Sequence, residues 1–94
     1  MTLEEFKSTV TTAVPPDGAS AGLLALWEDA RGHWGAAHKI AQDLDDESGA
    51  WIHAYLHRKE GDAANAAYWY RRAGQPVARD SLDQEWARIA SALL

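Results

Sequence analysis

The chain has 94 residues, enough for one hydrophobic core and too few for two ordinary domains. Its 14 acidic and 9 basic residues give a net charge of −5, which argues against nucleic acid, where a basic face supplies most of the affinity. There is no cysteine, so disulfides, thiolate metal sites and cysteine nucleophiles are excluded.

The first segment, MTLEEFKSTV, is acidic and lacks a long apolar run, so it reads as neither signal nor transit peptide. Thr2 can cap a helix there, with Glu5 completing a capping box and Leu3, Phe6 and Val10 on one face. Pro15, Pro16, Asp17 and Gly18 end that helix near Ala13. Ser20 can cap a second helix carrying Leu23, Leu24, Leu26, Trp27 and Ala30, which Gly32 interrupts. A third helix is expected from about Trp34 to Leu44, followed by an acidic loop over Asp45–Gly49.

The fourth helix is expected over Ala50 to Glu60. Gly61 suits a left-handed helix end, and Asp62 suits the cap of a fifth helix from Ala63 to Ala73. Gly74 and Pro76 stop it. Ser81 and Gln84 offer a capping box for a last helix reaching Leu94, with Leu82, Trp86, Ile89 and Leu93 as its apolar stripe. Nothing alternates with period two for long enough to form a strand. The expected fold is all-α, a single domain spanning the chain: a compact bundle of five to six short helices. No stretch approaches the roughly 18 apolar residues of a membrane span, so no membrane partner and a cytoplasmic location are expected.

A shift of 29 residues superposes the middle of the chain on itself: Leu23 falls on Ile52, Trp27 on Leu56, Gly32 on Gly61 and Ala37 on Ala66. Two hairpin units are thereby expected, at about Ser20–Asp45 and Ala50–Gly74. The second, Gly61-Asp62-x3-Ala66-x3-Tyr70-x2-Ala73, resembles the second half of a tetratricopeptide or Sel1-type repeat, most closely in Tyr68-Trp69-Tyr70-Arg71-Arg72-Ala73. The period is shorter than the tetratricopeptide one, and Ala41 stands where Tyr70 stands in the second unit. The longer string from His53 to Ala73, HAYLHRKEGDAANAAYWYRRA, is similar to a signature of small uncharacterised bacterial helical proteins. That resemblance implies a helical family with no activity attached.

Placed on a helix with Ile52 at zero, Leu56 falls near 40°, while His53, His57 and Glu60 fall between roughly 80° and 140°. These three form a polar stripe on the shoulder of the core. Two imidazoles four residues apart can reach one divalent metal ion, a carboxylate one turn on can join them, and His38 can add a further ligand if the third helix packs beside the fourth. The bland alternative is a pair of interface histidines, with Glu60 paired to Lys59, Arg58 or a neighbouring His. On the fifth helix Asn65, Tyr68 and Arg72 lie within about 60° of one another and, with the histidines, suit a small carboxylate or phosphate ligand. The alternative there is a solvated face, with Arg71 and Arg72 complementing the helix end. His57 with Asp62 could form an acid–base pair, but no nucleophile motif accompanies it, and the chain reads more as a binding domain than an enzyme.

Trp27, Trp69 and Trp86 sit on apolar stripes and are expected in the core; Trp34 and Trp51, at helix starts, are expected to be partly exposed. The functional expectation is an interaction module that binds a protein, a peptide or a second copy of itself. The alternative is a ligand-binding, metal-binding or catalytic domain built on His53, His57, Glu60, Asn65, Tyr68 and Arg72, with His38 joining a metal set.

Overall fold

Thr2, Ser20, Asp46, Asp62 and Ser81 each accept a hydrogen bond from the backbone N–H three residues on, so five of the six helices begin at a side-chain cap. The computed structural model describes all 94 residues. Its elements are α1 (Leu3–Thr12), α2 (Ala21–Ala30), α3 (Trp34–Asp43), α4 (Glu47–Lys59), α5 (Ala63–Ala73) and α6 (Leu82–Leu93), with no strand. No helix is long and apolar enough to cross a membrane. Both expected capping boxes, Thr2 with Glu5 and Ser81 with Gln84, are formed in full.

One boundary differs from expectation. The acidic stretch after α3 is not a loop down to Gly49, because the Asp46 carboxylate accepts from the Gly49 N–H at 2.8 Å and starts α4 at Glu47. Gly49 is required there. A Cβ on it would lie 2.5 Å from the Cβ of Leu44 and 2.6 Å from its carbonyl oxygen, so only glycine lets the end of α3 turn this closely into α4.

The 29-residue register reappears in the backbone. Gly32 donates to Asp29 O and His33 to Glu28 O; 29 residues on, Gly61 donates to Arg58 O and Asp62 to His57 O. Both glycines have positive φ, 84° and 89°, which makes each turn a Schellman-type helix end. The paired positions Leu23/Ile52, Trp27/Leu56, Ala37/Ala66 and Ala41/Tyr70 are all buried. Two hairpins result, α2 with α3 and α4 with α5, docked through α3 against α4.

Helix α4 is the hub and also packs on α2 and α6. Its residues Ile52 to Leu56 and His57 are buried all round. The main core gathers Phe6, Leu26, Ile52, Leu56 and Ile89, with Phe6 stacked on Trp86 at 5.6 Å and the Trp86 indole donating to Leu26 O at 3.0 Å. Two acids are sunk into this bundle. Glu85 is fully buried, accepting from the Tyr70 hydroxyl (2.7 and 2.9 Å), Arg58 (2.8 Å) and the Trp51 indole (3.4 Å). Asp29 accepts from the Tyr55 hydroxyl at 3.1 Å and Lys59 at 2.9 Å. The surface around the hub is therefore apolar or ion-paired, save on the side facing α3 and α5.

Candidate metal centre

On that side α3 contributes His38 and α4 contributes His53 and His57. One potential ligand atom from each of the three lies within 4.8 Å of the other two. The ring centres are 4.6 Å apart for His38 and His53, 5.2 Å for His38 and His57, and 4.7 Å for His53 and His57. His53 and His57 are buried, whereas His38 is half-buried and gives the cluster its solvent face.

Two indoles wall the imidazoles in. Trp34 donates its Nε1–H to Leu56 O at 2.9 Å, which fixes the ring across the α3–α4 seam, and it stacks on His38 at 4.9 Å and 10°. Trp69 from α5 stacks on His53 at 3.9 Å and 15°. Trp69 is only half-buried, not the core residue expected from its apolar stripe, because its ring covers a histidine at the rim of the hairpin. Trp34 and Trp51 are half-buried as expected, and both indole N–H groups are used inside the molecule.

The electrostatics favour the neutral form of His53 and His38. Burial, and then the neighbouring His38 and His57, push the His53 pKa down to about 4. Burial, and then His57, also lower that of His38. Neutral imidazole is the ligating form, so protons compete weakly for this pair at neutral pH. His53 Nδ1 is buried with no hydrogen-bond partner, a costly state for a ring nitrogen. His57 Nδ1 lies 2.6 Å from Glu60 Oε1; since a carboxylate only accepts, that nitrogen carries the proton and Nε2 is left free to ligate.

Glu60 is thus not brought into the three-histidine set. It sits on the exposed rim with Asp62, and acts on the cluster through the buried His57. His57 takes Glu60 as its partner, not Asp62, whose carboxylate caps α5 at the Asn65 N–H. Arg58 and Lys59 are committed elsewhere, to Glu85 and Asp29. On α5, Arg72 donates to the Tyr68 hydroxyl at 2.9 Å and its guanidinium lies 5.2 Å from the Trp69 ring centre. Tyr68 and Arg72 are exposed and Asn65 is half-buried, so these three form an outer flank behind Trp69, separate from the imidazoles.

Two features had weaker signals in the sequence. The indole walls could have been suspected from Trp34 standing four residues before His38. The second is a cavity of about 400 Å³ on the opposite side of α4, lined by Lys7, Asp29, Tyr55, Lys59, Asp83 and Trp86 among others. Its one sequence mark is Asp29, an acid that with Glu28 interrupts the apolar run of α2. A smaller cavity, of about 350 Å³, lies beside the outer face of Trp69 between Gln42, Asp45 and Arg72. No histidine lines either.

Compared with known proteins, the chain matches no family model, no curated protein and no solved structure.

Proposed function

We propose that this protein is a metal-binding helical domain that holds one divalent transition-metal ion on His38, His53 and His57. The observation that carries the reading is the convergence of three imidazoles from two helices, one of them with a buried nitrogen that nothing in the protein satisfies. Three neutral nitrogens suit zinc, cobalt, nickel or copper and not magnesium or calcium, which take oxygen ligands. At zinc–nitrogen distances of about 2.0–2.1 Å, tetrahedral ligands stand about 3.3 Å apart. The potential ligand atoms here all lie within 4.8 Å of one another, so the set needs to tighten by no more than about 1.5 Å to take such an ion. Glu60 supports the set from outside by fixing the tautomer of His57. A cytoplasmic setting belongs to the same proposal.

Calorimetric titration of the metal-free protein with zinc, cobalt and nickel tests it. One ion should bind per chain, and His53→Ala or His57→Ala should abolish binding while the helical content is kept. Failure of every ion to bind the wild-type protein at neutral pH overturns the reading.

One observation favours a second reading, recognition of a protein or peptide. Tyr68, Trp69 and Arg72 form a cation–aromatic group on α5, and these residue types dominate interface hot spots. A partner bound there should be lost with Arg72→Ala and be indifferent to His57→Ala.

A further inference from the structure

Metal sites that only staple a fold are closed by four protein ligands, whereas reactive ones keep a position for solvent. Here a fourth protein ligand is missing for a structural reason. Glu60, the nearest carboxylate, is turned to the rim by its 2.6 Å bond to His57 Nδ1, and its other acidic neighbour, Asp62, is held at the start of α5 by the Asn65 N–H. Cysteine is absent from the chain. The two indoles beside the histidines can stack but cannot ligate, and both are already placed, Trp34 through Leu56 and Trp69 against His53. Three histidines thus converge with no fourth donor in their own set, the carboxylates of Glu60 and Asp62 grouping with His57 alone, and the one half-buried ring, His38, marks where solvent reaches them.

Taking the metal-binding reading as its premise, we infer that this centre is of the open type: its fourth position holds a water molecule that exchanges for small anions. Two features define the ligand class. Three neutral imidazoles leave the full double charge of the ion uncompensated, which favours an anionic fourth ligand and acidifies bound water to a pKa near about 7. The two cavities described above are lined by other residues, and Trp34 and Trp69 stack directly on His38 and His53, so the space at the imidazoles suits a ligand the size of water, azide, thiocyanate or bicarbonate. Glu60 is a positioning residue in this scheme. By accepting the His57 Nδ1 proton it makes Nε2 a better donor without entering the coordination sphere.

Cobalt substitution separates the two levels of the proposal. Cobalt(II) bound by three histidines and water should give visible absorption bands, which shift on adding azide or thiocyanate and also shift with pH about a single step near neutrality. Glu60→Gln should retain the bands and move that pH step. Absence of any visible band on the wild-type protein overturns the metal-binding reading itself. Bands that ignore both anions and pH leave that reading intact and overturn the open position, because a closed four-ligand set has nothing to exchange.

Discussion

The indole of Trp69 lies flat on the imidazole of His53, with ring centres 3.9 Å apart and planes 15° apart, and this one contact seals the cluster from the α5 side. The low pKa of His53 arises first from burial, so the seal is part of its cause. Trp69→Ala should admit water and return the His53 pKa from about 4 toward its ordinary value of 6.5, by about one unit or more. An NMR titration of the imidazole protons reads this directly. A value still near 4 in the variant would show that the neighbouring imidazoles, not the indole, set it.

Acid should destabilise the metal-free protein in a defined window. The folded-state pKa of His53 lies below its unfolded value, so the unfolded chain binds more protons between about pH 6.5 and 4, and stability falls as pH falls through that range. The loss due to His53 is about 3 kcal/mol, complete below the folded pKa. Urea unfolding at stepped pH measures it. His53→Gln should flatten the dependence in that window, and an unchanged slope in this variant would remove His53 as its source.

Loading the site should raise the melting temperature by mass action on the native state. At a hundredfold excess over the dissociation constant the gain is about 2.7 kcal/mol, which for a domain of this size is roughly 10–20 °C. Glu60→Ala should keep the binding and weaken it about 10–100-fold, the usual effect of removing the outer partner of a ligating histidine. Scanning fluorimetry with and without zinc checks both, and equal affinity in Glu60→Ala would deny that residue its supporting role.

The buried acid Glu85 ties α6 to α4 and α5 through Arg58, Trp51 and Tyr70. Glu85→Ala strands the buried Tyr70 hydroxyl and leaves the half-buried Arg58 guanidinium with Asp80 as its only partner, and should cost about 3 kcal/mol. Against a total stability of order 5–15 kcal/mol, this is a large share, and the variant should melt well below the wild-type protein. Thermal unfolding followed by circular dichroism decides this, and a loss under about 1 kcal/mol would mean that water replaces the network.

The helices were legible from local chemistry. Thr2/Glu5, Ser81/Gln84 and the Gly61–Asp62 junction state their roles within a few residues, and the fold forms all three. The start of α4 was not legible, because Asp45, Asp46 and Glu47 are equally plausible in a loop, and only the tertiary approach of Gly49 to Leu44 shows where the turn closes. The juxtaposition of His53 with His57 follows from helical period alone. The placement of His38 beside them does not, since it depends on how one hairpin docks on the other. Glu60 shares the histidine stripe on a helical wheel, yet it lies past the last turn at the cap of α4, where its side chain reaches Nδ1 and not the space between the rings. Trp69 shows the converse: an apolar stripe told of a covered ring, without saying that what it covers is an imidazole.

Helix α3 buries only Ala37 and Ala41, and it is held to the rest chiefly by its seam with α2, the Trp34 bond and the histidines. In a molecule whose parts open at different cost, such a helix should breathe before the hub does. An ion shared between His38 on α3 and two residues of α4 would have to be released each time α3 swung out. Amide exchange along α3 should accordingly slow on metal addition far more than along α6, making the helix that joins the two hairpins a reporter of occupancy.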